Sequence, residues 1–314
     1  MMAIAMKAMK QKKSTGARGA AVVLAILATL SLVACSGEAL PIPPESAESS
    51  SGTEFPPHVT SPDTVVLTFD GTRLETSVQD SGIHVEGTSF VITRGGLYEL
   101  RGKLSDGQVK VAVGKGEDVE LVLNGFTAVC ETTSPLYVES AGKTEIYLVP
   151  GTENALTDGI HYRFPSSEVD KPNACLYSAD DLVIKGSGSL TVTGYYNNGI
   201  ACRNDLRIQD CTLTISAPNN ILKGNDSVEI FGASLRLTGG EDAIKADTID
   251  RADKGYILIA ADSRVEISCS DDALQATLAI TVEEGAAVTG RCGGDMLNCP
   301  GVINADAKAM QLRS

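Results

Sequence analysis

The sequence predicts an all-β solenoid, a single-stranded parallel β-helix with coils of about 22 residues. Three observations predict it. First, paired polar residues recur at Asn197-Asn198, Asn219-Asn220, Glu241-Asp242, Asp271-Asp272 and Gly294-Asp295, with second members 22, 22, 30 and 23 residues apart. Second, an aliphatic residue follows each pair two places on, at Ile200, Leu222, Ile244, Leu274 and Leu297. Third, short runs such as Leu206-Arg207-Ile208, Leu213-Thr214-Ile215, Val228-Glu229-Ile230 and Leu235-Arg236-Leu237 alternate apolar with polar residues. Period-2 alternation broken by Gly, Asp and Asn describes half-buried strands joined by tight turns. The leucine-rich repeat core and the calcium-binding nonapeptide are both missing, which leaves the stacked coil, with neighbours ~4.8 Å apart.

Along the chain, residues 1–34 read as a targeting segment. Lys7, Lys10, Lys12, Lys13 and Arg18 precede an apolar stretch from Ala20 to Val33. That stretch is short for a spanning helix. With Leu32-Val33-Ala34-Cys35 it resembles a bacterial lipoprotein signal with its lipobox. The resemblance implies cleavage before Cys35, lipidation of that cysteine, and an exported protein anchored to the cell membrane and facing outward. Residues 35–60, rich in Ser, Pro and Glu, are expected to be a tether, because they hold too little apolar surface to pack. Residues 61–314 are expected to form one β-helix domain. Its early strands include Val65 to Phe69, Phe90 to Thr93, Val109 to Val113 and Val119 to Leu123. Residues 247–255 insert into one coil and account for the 30-residue interval.

Charge narrows the partners. Residues 1–34 hold five basic residues and no acid, so removing them moves the formal charge from −14 to −19. Nucleic acid is excluded as a partner for such a surface, and cations are favoured. Of eight cysteines, seven remain after Cys35, an odd number for a disulfide framework. Cys269 and Cys292 are expected to stack on adjacent coils with parallel Cβ vectors, a poor geometry for a bond, so buried free thiols are expected.

The polar column carries the candidate chemistry. Asn198 and Asn220 fit a structural amide ladder. The next coils put Asp242, Asp272 and Asp295 in that position, with Glu241 and Asp271 beside them. Unit charges ~5 Å apart repel by about 3 kcal/mol at an effective dielectric of 20. Such a stack needs protons, backbone donors, Lys245 or a bound cation. Oxygen-only donors in an irregular site favour calcium over magnesium. The insertion adds Asp247, Asp250 and Asp253. The alternative is that these are solvated turn acids bonded to backbone. A second column, Asp180-Asp181, Asn204-Asp205, Asn225-Asp226 and Asp247, reads as turn structure.

Arg203, Lys223 and Lys245 fall near corresponding positions and are candidate contacts for acidic sugars, with charge balance as the alternative. Lys245 beside calcium is also a candidate base for a polysaccharide lyase. Tyr195 and Tyr196 are candidates for stacking on a sugar face, or for packing. Polygalacturonases need a Gly-His-Gly motif, and none of His58, His84 and His161 is flanked by two glycines, so that hydrolase is excluded.

Several segments together resemble a bacterial carbohydrate-binding domain family that includes a clostridial cellulose- and pectin-binding surface protein. They include Leu121-Val122-Leu123-Asn124-Gly125, Gly151-Thr152-Glu153-Asn154-Ala155-Leu156-Thr157-Asp158-Gly159, Tyr177-Ser178-Ala179-Asp180-Asp181-Leu182 and Ala252-Asp253-Lys254-Gly255-Tyr256. The likeness runs from about Val65 to about Ile303. It implies a right-handed parallel β-helix related to pectate lyases, several bound calcium ions, and affinity for polysaccharide, either acidic and pectin-like or cellulosic, without established lyase activity. Asn197-Asn198 and Asn219-Asn220 stand where members commonly carry Asp-Gly turns, which implies fewer metal sites here. Two alternatives stay open: a calcium-dependent polysaccharide lyase, and a structural or adhesive surface protein.

Overall fold

The computed structural model describes residues 61–164 and 171–313. The leader over residues 1–34, Cys35 and the tether up to residue 60 lie outside the described residues. Every described element is a strand, as the alternation requires. In chain order the first ten are β1 (Val65–Gly71), β2 (Arg73–Thr76), β3 (Ile83–Glu86), β4 (Ser89–Ile92), β5 (Gly96–Leu104), β6 (Gln108–Ala112), β7 (Val119–Cys130), β8 (Leu136–Ser140), β9 (Lys143–Leu148) and β10 (Glu153–Asp158). Antiparallel pairing among the described strands is confined to β1 with β2 and β3 with β4, near the start.

From residue 174 the strands come in threes. These are β11 (Ala174–Ser178), β12 (Asp181–Lys185), β13 (Ser189–Thr193); β14 (Asn198–Cys202), β15 (Asp205–Gln209), β16 (Thr212–Ala217); and β17 (Leu222–Gly224), β18 (Ser227–Phe231), β19 (Ser234–Gly239). They continue as β20 (Ile244–Ala246), β21 (Tyr256–Ile259), β22 (Arg264–Ser268); β23 (Leu274–Ala276), β24 (Ala279–Val282), β25 (Ala287–Arg291); and β26 (Leu297–Asn298), β27 (Val302–Ala305), β28 (Met310–Arg313). Each strand pairs in parallel with the strand three places on, as β14 does with β17 and β17 with β20. One turn of the sequence repeat is therefore one three-strand unit laid on the last. The result is an 18-stranded sheet and a 10-stranded sheet, mostly parallel.

Parallel register explains the repeat. The marked aliphatics Ile200, Leu222, Ile244 and Leu274 are Cα partners in successive units and are fully buried. Leu206, Val228, Ile257 and Ile280 form another such file, and Leu213, Leu235, Val265 and Val288 a third. Each side chain so buried contributes about 1.5–3 kcal/mol relative to an exposed one. Slipping one residue would turn a whole file outward, so the files hold the register.

One file is interrupted by a glycine and resumes at Leu312. In the file Val192, Ile215, Leu237, Ile267, the next partner is Gly290 at φ +125°, where a Cβ would lie 1.9 Å from the Ile267 carbonyl oxygen. The thiols are free as expected, but Cys269 and Cys299 are only partly buried. Cys269 and Cys292 follow the paired residues Ser268 and Arg291, and the seven described cysteines are free.

A candidate cation and glycan site on the polar ladder

The paired polar turns lie just before the short strands β14, β17, β20 and β23. Parallel stacking brings each turn onto the previous one, so each side chain can reach the backbone of the next unit. Asn198 Oδ1 accepts from Asn220 N at 3.2 Å and from Asn220 Nδ2 at 3.0 Å. Beside it, Asn219 Nδ2 donates to Asn197 Oδ1 at 2.7 Å. The acids continue the same device. Asp242 Oδ1 accepts from Asp272 N at 3.2 Å, and Asp272 Oδ1 from Asp295 N at 2.7 Å.

The ladder breaks where amide meets acid. Asn219 Oδ1 and Asn220 Oδ1 are buried and have no hydrogen-bond partner among the described residues. A carboxylate in the next unit cannot serve these oxygens, because a carboxylate and an amide oxygen both only accept. Buried acceptors without a donor are costly, about 1–3 kcal/mol each.

Past the break, carboxylate oxygens of Asp242, Asp271 and Asp272 lie within 4.8 Å of one another. Asp242 and Asp272 are buried and Asp271 is exposed. Compensation is partial. Lys245 Nζ reaches Asp242 Oδ2 at 2.9 Å, and Asn298 Nδ2 reaches Asp272 Oδ2 at 2.6 Å. Three carboxylates thus face one ammonium. Desolvation, then the charges of Asp272, Asp242 and Glu241, push the Asp271 carboxyl above its ordinary value. The donors of this group are all carboxylate oxygens, a set that fits a hard divalent cation.

The other residues singled out in the sequence are placed as follows. Glu241 and Asp295 are exposed neighbours on the ladder, outside the three-carboxylate group. Asp247 pairs with Lys223 at 2.8 Å, and Asp250 and Asp253 are exposed on the inserted loop. Lys223 and Lys245 are Cα partners on adjacent strands, each committed to an acid. Arg203 is exposed one unit earlier.

The second acidic column is neutralised from within. Lys254 Nζ donates to both oxygens of Asp205, at 2.8 and 2.7 Å, and Arg251 Nη1 lies 2.5 Å from Asp226 Oδ2. Burial raises the Asp226 carboxyl, and Arg251 opposes that rise. Sequence reasoning counted the acids of this insertion and overlooked its cations. The signal was there in the bases Arg251 and Lys254, which flank Asp253.

Tyr195 and Tyr196 are exposed, 55% and 38%. Tyr196 stacks on Tyr162 with centroids 4.0 Å apart and planes 10° apart, and Phe164 meets Tyr162 edge-on at 5.9 Å. Asp158 anchors the group, accepting from Tyr162 Oη at 2.7 Å and from Tyr195 N at 2.5 Å. Burial raises the Asp158 carboxyl despite these donors. Tyr162 and Phe164 escaped the sequence reading because they lie outside the repeat.

The described residues thus form an all-β stack of mostly parallel strands that carries an oxygen-lined acidic cluster and an exposed aromatic group. The chain is a member of the carbohydrate-binding domain-containing protein family, whose model matches residues 86–308. A carbohydrate-binding domain-containing protein of Acetivibrio thermocellus is 36% identical over 280 residues, covering 89% of this chain and 92% of that protein. A solved structure, a polysaccharide lyase-like protein from C. thermocellum as a gadolinium derivative, superposes with a TM-score of 0.76 at 36% identity, covering 80% of this chain and 100% of that one.

Proposed function

We propose that this protein is an exported lipoprotein, anchored through Cys35, that holds polysaccharide outside the cell without cleaving it and does so with calcium. The stacked units are read as a right-handed single-stranded parallel β-helix, the hand that parallel crossovers take in nearly all sheets. Asp242, Asp271 and Asp272 hold the ion, with Glu241 and Asp295 at its margin. The observation that carries the reading is the group of three carboxylates within 4.8 Å, offset by one ammonium. It is supported by the family, and by the gadolinium derivative of the similar structure, since hard cations share oxygen donors with calcium.

The glycan is expected to be acidic and pectin-like, or cellulosic. Tyr195 offers a sugar an exposed ring, and the Tyr162 stack fixes Tyr196 beside it. Arg203, Lys223 and Lys245 supply positive charge near the ion. Lys245 as a lyase base is the weaker reading, since its ammonium is taken up by Asp242.

Incubation with polygalacturonate, with calcium and then with chelator, tests this. Retention that needs calcium, with no unsaturated product in the ultraviolet, is expected. Growth of that absorbance would establish a lyase, and no retention of any glycan would sink the binding reading.

A further inference from the structure

The outer face of β16, β19, β22 and β25 holds a groove of about 410 Å³ that the acidic cluster does not use. Alternation builds it. Leu213, Leu235 and Val265 turn inward and are buried, so Thr212, Thr214, Ser234, Arg236, Arg264 and Glu266 turn outward. Thr212, Ser234 and Arg264 are Cα partners in one row, followed by Ala287. Thr214, Arg236 and Glu266 make the parallel row. Short side chains at Thr212, Thr214, Ser234 and Ala287 keep the floor low. The longer Arg236, Arg264 and Glu266 rise from it.

The charge here runs against the rest of the molecule. Arg236 and Glu266 form a fork, Nη1 to Oε1 at 2.9 Å and Nη2 to Oε2 at 2.7 Å. The Arg264 guanidinium has no hydrogen bond or ion pair among the described residues. Arg291 follows on β25 and donates through Nε to Ser268 Oγ at 3.3 Å. The outward positions of β19, β22 and β25 thus hold three arginines and one acid, on a chain of net charge −14. A guanidinium offers a planar fork that fits a carboxylate. The hydroxyls of Thr212 and Ser234, on strands ~4.8 Å apart, and of Thr214 beside them can both give and accept hydrogen bonds, as sugar hydroxyls do.

We propose that this groove is a calcium-independent binding site for an anionic glycan built of uronate residues. Arg264 grips a uronate carboxylate, Arg236 is held upright by Glu266, and Thr212, Thr214 and Ser234 bond the sugar hydroxyls. This rests on the glycan-binding reading above and adds a site whose chemistry is opposite to the acidic cluster. A neutral glycan would offer Arg264 hydroxyl acceptors but no opposite charge. A nucleic acid would meet the acidic remainder of the surface.

The test is titration of an oligogalacturonate into the full chain in the presence of chelator. Saturable binding is expected, weakening as salt rises. Arg264→Ala should weaken it about tenfold, the loss of one charge-assisted contact, and Arg264→Lys should recover part of it. Both variants should melt with the wild type, because Arg264 is exposed. If Arg264→Ala shifts melting, Arg264→Gln replaces it. Unchanged affinity in the variants overturns the groove. Binding of uronate only with calcium, or of neutral glycans only, overturns the groove and leaves the glycan-binding reading standing. No binding under any condition overturns both. Equal binding of an oligonucleotide overturns the uronate assignment and leaves a general polyanion surface.

Discussion

Lys245 Nζ sits 2.9 Å from Asp242 Oδ2, three residues back along the same turn, while Asp242 Oδ1 holds the backbone N–H of Asp272 at 3.2 Å. One carboxylate thus ties a lysine to the ladder and couples two units. The same residue lies in the three-carboxylate group. A cation held by that group would therefore be linked to stability through Asp242.

Calcium should raise the melting temperature of the wild type. A ligand at 100 times its Kd stabilises by about 2.7 kcal/mol if it binds the native state alone. Asp271→Asn should lose most of this gain and melt no lower than the wild type without calcium, because it removes one of the crowded negative charges. Asp242→Asn should lose the gain and also leave the Lys245 ammonium without its acid. Thermal melts with calcium and with chelator check both, and an equal calcium shift in all three proteins would exclude this cluster as the site.

The pH dependence follows from Asp271. Its folded carboxyl is raised above the ordinary 3.8, by desolvation and then by Asp272, Asp242 and Glu241. The sign is fixed by linkage. Without metal, its contribution to stability is complete below the unfolded value and is lost as pH rises through the folded one. Calcium needs the ionised form, so affinity should climb over the same window. Calcium titrations from pH 4 to 7 check this, and Asp271→Asn should flatten the profile.

The inserted loop should act as a built-in counterion. Arg251→Gln with Lys254→Gln removes the partners of Asp226 and Asp205, and Asp226 is buried. Arg251 is itself 56% exposed, so the loss falls between the surface and buried limits, about 1–3 kcal/mol. Urea unfolding measures it. A variant as stable as the wild type would show that the loop merely rests on the column.

Ile244→Ala should cost about 2–5 kcal/mol, since Ile244 is fully buried between Leu222 and Leu274. Glu241→Ala on the same turn is exposed and should stay within about 0.5 kcal/mol. Paired urea titrations check the contrast.

Much of the fold was legible in the sequence, because a parallel stack repeats one environment per unit. Ile200, Leu222, Ile244 and Leu274 recur because each meets its counterpart in the same buried file. The early strands were read as the first coils and cap of the same stack, although the repeat is poorly marked there. Pairing of β1 with β2 is a local hairpin across Gly71, whereas pairing of β1 with β5 is non-periodic and no local signal encodes it. In the site, the periodic Asp242 and Asp272 were found, and Asp271 with them. The sequence also placed Asp247, Asp250 and Asp253 near that group, whereas Asp247 is held by Lys223 and the other two lie out on the loop.

The sequence by itself determined the all-β character, the period and the ladder, because these depend on spacing that every unit repeats. Tertiary structure decided which charges meet. Lys254 crosses 49 residues to reach Asp205, and Tyr162 reaches Tyr196 across 34, contacts that no period predicts. It also turned Arg264 outward with no hydrogen bond or ion pair among the described residues. Alternation fixes which face a side chain takes, but only the stacked neighbours fix whether it finds a partner there.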